Sequence, residues 1–208
     1  MGAIGSVEVI PMLEKYINDP IKEISETCEI ALDRVKWYEA NSDEPLDSKS
    51  PYKSIDPTPT LNINDIKELK AILLDDNENL FKRYRAMFSL RNINSDESCI
   101  ALSEGLKCKS ALFRHEIAFV LGQLQQPITV PYLIENLNDT TENEMVRHEC
   151  AEALGSIATD DCITVLNKYL DDDKRVVKES CIVALDMCDY EKSTDFQYAN
   201  TLGQLCKE

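Results

Sequence analysis

Four nine-residue phrases recur in register along this chain: KRYRAMFSL at 82–90, FRHEIAFVL at 113–121, VRHECAEAL at 146–154 and VKESCIVAL at 177–185. Their starts are 31, 33 and 31 residues apart. A basic residue holds the second place of each, and Leu closes each. Apolar residues recur at helical spacing, as in Ile117, Val120, Leu121 and Leu124. A second amphipathic stretch precedes each phrase: DIKELKAILLD, SCIALSEGL, TVPYLIENL and CITVLNKYL. Short polar turns such as DDNEN, KCKS, NDTTEN and DDDK join them. A fixed period of this length means stacked supersecondary units, each covering the apolar face of the next.

The expectation is therefore an all-α chain, a solenoid of stacked helical hairpins with one helix pair per repeat. The hairpins resemble HEAT repeats. A longer period lies over the short one. Residues 1–33 align without a gap on 154–186, an offset of 153 that pairs Glu26 with Glu179, Cys28 with Cys181 and ALD at 31–33 with ALD at 184–186. Between the copies runs EANSDEPLDSKSPYKSIDPTPTLN, rich in Pro, Ser and Asp, which reads as an extended linker. The expected plan is one repeat at 1–38, a linker at 39–61, four repeats at 62–190 and a polar tail at 191–208.

Composition narrows the function. Among 208 residues, 38 are acidic and 22 basic, a formal charge of −16. Nucleic-acid or anionic-membrane surfaces need a basic stripe, so neither partner is expected. A basic partner or cationic substrate fits better. No apolar run reaches eighteen residues, and the N-terminus lacks the signature of a secretory leader. The eight cysteines form no C-x-x-C pair. Cys28, Cys150 and Cys181 sit in apolar helical phrases and are expected to be buried thiols of a reducing compartment, which points to the cytoplasm, with or without the nucleus.

Both histidines of the chain, His115 and His148, fall inside Arg-His-Glu phrases of adjacent repeats. Packed helices lie roughly 8–10 Å apart, so two imidazoles in one phase can converge on one metal ion. The residue after each His lies about 100° further round the helix. Glu116 and Glu149 therefore flank the same groove. Two histidines and one carboxylate make a facial triad suited to non-haem iron(II), with positions left open for oxygen. The other carboxylate is then free for substrate or a bridging water. Arg114 and Arg147 are expected to pair with neighbouring acids, Glu152 to lie on a solvated face, and Gly122 and Gly155 to allow close helix approach. Trp37, Tyr84, Phe88 and Phe119 read as core or groove packing. The histidine supply excludes most nucleophile–base schemes.

The phrases LFRHEIAFVLGQLQ, ENEMVRHECAEALGSIA, VVKESCIVALDM, NLFKRYRAMFSLRN and PYKSIDPTP closely resemble the deoxyhypusine hydroxylase family, across essentially the whole chain. The resemblance implies a HEAT-repeat protein with two pseudo-symmetric halves and a non-haem di-iron centre. It implies oxygen-dependent hydroxylation of a deoxyhypusine side chain on a translation initiation factor, the step that completes hypusine. It also implies iron ligation by His115, His148 and Glu149, with Glu116 nearer the substrate. The family pattern has four His-Glu motifs, and this chain carries two. The 153-residue offset places the missing pair just upstream of Met1, so at most about one iron(II) per chain is expected. Two arrangements compete with the full activity: a homodimer that rebuilds a di-iron site, and an acidic, non-catalytic scaffold for a basic partner.

Overall fold

Capping side chains open several of the helices, and a left-handed residue closes three of them. The structure, a computed structural model, describes residues 6–41, 51–52 and 56–193. The first pair is α1 (Ile10–Tyr16) and α2 (Lys22–Ala40). Four further pairs follow: α3 (Ile66–Leu74) with α4 (Leu80–Ile93), α5 (Asp96–Glu104) with α6 (Ala111–Leu124), α7 (Val130–Asn138) with α8 (Glu144–Ile157), and α9 (Asp160–Lys168) with α10 (Arg175–Lys192). Among the described residues there is no strand. The expected linker at 39–61 and tail at 191–208 lie partly outside the described residues; α2 itself runs to Ala40.

Asn79, Ser110 and Asn143 cap α4, α6 and α8, their side chains accepting first-turn backbone N–H groups. All three helices close on a left-handed residue without glycine: Asn94, Gln125 and Ala158, with φ of 48°, 52° and 57°. The pairs stack as two layers. α3, α5, α7 and α9 form one, and α4, α6, α8 and α10 the other, each helix touching its neighbours in the stack. A continuous core runs between the layers, including Leu73, Phe88, Phe113, Ile117, Leu121, Leu133, Leu154 and Cys181, all fully buried. Cys150 is also buried, and burial pushes the Cys181 thiol up to about 11. Cys28 is half-buried.

The basic residue of each phrase pairs with an acid of a turn, in its own repeat for Arg83 and Lys178 and in the next repeat for Arg114 and Arg147. Arg83 pairs with Asp76 at 3.0 Å. Arg114 clasps Glu142 at 2.7 and 2.5 Å, reaching the next repeat's turn. Arg147 does the same with Asp172 at 3.2 and 2.6 Å, while its Nε donates to the Leu137 carbonyl. That guanidinium holds the Asp172 carboxyl below the usual carboxylate range. The pairing expected of Arg114 and Arg147 is thus present.

α2 crosses from its own pair to pack on α4 and α6. Glu26 accepts a hydrogen bond from Ser110 Oγ (2.7 Å), and Asp33 accepts one from Asn79 Nδ2 (2.9 Å), so it touches both N-caps. Residues 56–61 are pinned to α4. Arg85 donates to the Pro59 and Thr60 carbonyls, the Leu61 N–H donates to Ser89 Oγ, and fully buried Arg91 forms a bidentate pair with Asp56 at 2.9 and 2.6 Å.

Candidate metal centre

α6 and α8 begin 33 positions apart, so His115 and His148 are each the fifth residue of their helix. Helix phase alone would leave the imidazoles a full interhelical distance apart. Gly122 closes that distance: a Cβ there would meet Ala153 Cα at 3.1 Å. Gly155 plays the same part between α8 and α10, its notional Cβ lying 2.7 Å from Ala184 Cα. The imidazole centroids end up 5.3 Å apart, tilted by 47°.

The same register sorts the two carboxylates. In α8, the residue after His148 turns back toward α6, and Glu149 Oε2 meets His115 Nε2 at 3.2 Å. In α6, the residue after His115 turns toward α4. There the position equivalent to His is Tyr84, so Glu116 acts through the field on a buried phenol rather than on a second imidazole. One ligand atom each from His115, His148 and Glu149 lies within 4.8 Å of the others. Glu116 is not part of that group of three. Of the four residues that the sequence marks out, the structure therefore gathers three on one point and sets Glu116 beside them.

The electrostatics follow from burial. Burial resists charging the His115 imidazole, but the hydrogen bond and charge of Glu149, with Glu116 and Glu152 behind it, outweigh that and raise its pKa. The Glu116 carboxyl is also pushed up, first by burial and then by Glu149 and Asp56, against the opposing pull of His115 and Arg91. Tyr84, 2% exposed, is held well above the ordinary phenol range by burial and by Glu116 and Glu26. The Nδ1 atoms of both histidines are buried and have no hydrogen-bond partner. Buried polar atoms are seldom left in that state without a ligand, water or ion to meet them. Two imidazoles and a carboxylate are an ordinary donor set for a divalent transition metal. The residues present thus fit a metal ion.

Three further residues act on the site. Glu152 does more than lie on a solvated face: its Oε1 is 3.5 Å from His148 Nδ1 and accepts a hydrogen bond from Ser180 Oγ at 3.0 Å. The signal was its position four residues after His148. Asp56 and Arg91 reach Glu116 through the field, and no local pattern links them to it. Phe119 is 41% exposed and lines a shallow groove with Gln123, Glu149, Glu152 and Met187. It is groove packing, whereas Tyr84 and Phe88 are core.

Paired helices in two layers, with a His/Glu cluster between adjacent helices of one layer, define a HEAT-repeat protein built around a metal-competent site. The family model for HEAT repeats matches residues 101–186. A deoxyhypusine hydroxylase of Drosophila melanogaster is 62% identical over 206 residues, 99% of this chain and 68% of that protein. The Homo sapiens deoxyhypusine hydroxylase is 51% identical over 205 residues, 99% of this chain and 67% of its own. A solved structure of human deoxyhypusine hydroxylase in complex with glycerol superposes with a TM-score of 0.87, covering 91% of this chain and 65% of that one. The chain belongs to the deoxyhypusine hydroxylase family, a family of enzymes. It spans about two thirds of the length of these relatives.

Proposed function

We propose that this chain serves the oxygen-dependent hydroxylation of a deoxyhypusine side chain on a translation initiation factor, and that His115, His148 and Glu149 hold the iron(II) that the reaction uses. Family membership supports the reaction class. The observation that carries the residue assignment is the convergence of these three ligand atoms within 4.8 Å. Bound there, iron would supply the activation of molecular oxygen that carbon hydroxylation requires.

The chain's own residues do the rest. His115 must be neutral to ligate, so metal competes with the ring proton that Glu149 favours. Glu152, tied to Ser180 on α10, stands beside His148, its Oε1 3.5 Å from Nδ1, where a small shift would let it orient the ring. Glu116 stands outside the group of three, within the field of Glu149 and His115. A deoxyhypusine side chain carries a secondary and a primary amine, both cationic at neutral pH. Such a cation beside Glu116 would lower the carboxyl's raised pKa and pair with it. Phe119 offers an apolar wall for methylenes.

The test is iron quantitation of the purified chain beside an oxygen-dependent assay on the deoxyhypusine-bearing factor. We expect binding of no more than about one iron per chain through the triad, abolished in His148→Ala. Undiminished iron loading in His115→Ala and His148→Ala together would overturn the ligand assignment.

A further inference from the structure

The His/Glu cluster continues into a groove. From Glu149 a cavity of about 450 Å³ runs between α6 and α8 toward their C-terminal ends, walled by Phe119, Gln123, Glu152, Ser156 and Met187. Its residues follow the helical repeat. Phe119 and Glu152 each stand four positions beyond a histidine, about 6 Å along the helix axis. Gln123 stands eight positions beyond His115, about 12 Å along. The groove therefore has an order: a carboxylate and an apolar wall one turn from the triad, an amide two turns from it.

Each polar group on this line is aimed by a contact outside it. The Ser180 hydroxyl of α10 donates to Glu152 Oε1 at 3.0 Å, which leaves Oε2 for the groove. Gln123 is aimed from the other side. Its Oε1 accepts from Arg91 Nη1 at 3.1 Å, and that guanidinium is fully buried and held by the bidentate pair with Asp56. An arginine can only donate, so the amide turns its oxygen to α4 and offers Nε2 to the groove. A glutamine free to rotate would offer either atom; this one offers a donor. Exposed Phe119 and half-buried Met187 supply the apolar faces. The groove is thus built for an acceptor at its outer end, a cation one turn inward and an apolar stem between them.

A deoxyhypusine residue has its groups in that order. Its main chain carries carbonyl acceptors. Four methylenes then lead from Cα to the secondary amine, roughly 6 Å of zigzag chain with single bonds near 1.5 Å. The step from the Gln123 level to the Glu152 level is also about 6 Å. We propose that this groove seats the stem of the substrate residue: Gln123 Nε2 donates to a main-chain carbonyl, Phe119 and Met187 flank the lysine methylenes, and Glu152 receives the secondary ammonium. The aminobutyl group then passes over the triad, with its primary ammonium at Glu116. This rests on the hydroxylase reading and adds an orientation to it. The polypeptide lies toward the C-terminal ends of α6 and α8, and the free amine lies inward. The reverse orientation would set the Gln123 donor against an ammonium.

The test is titration of the metal-free chain with two probes, read by NMR at the Met187 methyl group. One probe is a deoxyhypusine residue, acetylated at its N-terminus and amidated at its C-terminus. The other is N-butyl-1,4-diaminobutane, which keeps both amines and the stem but has no main chain. We expect the capped residue to bind about five-fold tighter than the diamine, the worth of one neutral hydrogen bond. Glu152→Gln should weaken both by about ten-fold or more, the worth of a charged one. Gln123→Glu keeps the oxygen that meets Arg91 and replaces the donor, so it should erase the preference for the capped residue. Gln123→Leu should do the same, and amide spectra check that each variant keeps the parent fold. Equal affinity of the parent for the two probes would overturn the orientation, as would a preference that survives both Gln123 variants. Absence of any Met187 shift at millimolar probe overturns the groove. Binding that weakens in Glu116→Gln but not in Glu152→Gln also overturns it, and leaves the hydroxylase reading standing. The expected probe binding, in a chain whose histidine variants load iron undiminished, supports the groove and counts against the ligand assignment alone.

Discussion

Adding one methyl at Gly155 and one at Gly122 separates packing cost from helix propensity, because the two sites share everything but the gap. At 155 the new Cβ would sit 2.7 Å from Ala184 Cα and 2.9 Å from its carbonyl oxygen. Carbon atoms are at ease near 3.5–4.0 Å, so α8 and α10 must part by about 1 Å. At 122 the contact is 3.1 Å to Ala153 Cα and 3.2 Å to its Cβ, and the shortfall is roughly half as large. Both gaps are set by backbone atoms, which cannot swing aside. Overpacking of this kind costs about 1–3 kcal/mol, while Gly→Ala inside a helix returns about 1 kcal/mol. Gly155→Ala should therefore lose about 1–2 kcal/mol, and Gly122→Ala should stay within about 0.5 kcal/mol of the parent. At roughly 2–4 °C per kcal/mol for a chain of this size, the first shift is readable by scanning calorimetry and the second nearly vanishes. Urea titration gives the same comparison at 25 °C. Gly122→Ala carries a second consequence, since it pries apart the two helices that bear His115 and His148. Its metal affinity should fall several-fold while its stability holds. A Gly155→Ala protein at least as stable as Gly122→Ala would refute the reasoning.

Other outcomes follow from the same contacts. Glu149→Gln removes the charge that favours the protonated His115 ring, so NMR titration of the metal-free chain should show the His115 pKa drop. Because the folded pKa of His115 lies above its unfolded value, this group's stabilising contribution is full below the unfolded pKa, near 6.5. It is lost as pH rises through the folded value, so chemical denaturation of the metal-free chain should show that contribution fade with rising pH; metal affinity, which needs the neutral ring, should climb over the same interval. Asp56→Ala strands the fully buried Arg91 guanidinium without its bidentate partner and should cost about 3 kcal/mol in urea denaturation. Arg147→Leu leaves the Asp172 carboxylate and the Leu137 carbonyl without their shared donor; a loss of about 2–4 kcal/mol is expected, and a loss below about 0.5 kcal/mol would show the tie to be ornamental.

Helix pairs, their order and the His-Glu phrases were legible in the sequence because they are local and periodic. Arg83, Arg114 and Arg147 share a register position with a readable role, and the small residues at 122 and 155 stand where adjacent helices must meet. The selection of Glu149 over Glu116 was only partly legible. It depends on what the preceding helix offers at the His position: His115 in one case, Tyr84 in the other. The anchoring of residues 56–61 by Arg85, Ser89 and Arg91 was not legible, since contacts some 25 to 35 positions apart leave no mark on periodicity. Glu152 was visible at i+4 from His148, yet its bond to Ser180 needed the next repeat in place.

The crossing of α2 onto α4 and α6 changes how such a chain folds. A stack of repeats is nearly one-dimensional: each unit depends on the next, and unfolding can enter from either end. The Ser110–Glu26 bond joins residues 84 positions apart and turns one end of that line into a closure. It must form late, after α4 and α6 exist to receive it, because a loop of that length has to be closed first. Once formed it guards the α3–α4 end, while α10, among the described helices, packs only on α8 and α9. Amide exchange should therefore run as a gradient, fastest in α10 and slower toward α4, with α2 opening as a separate unit.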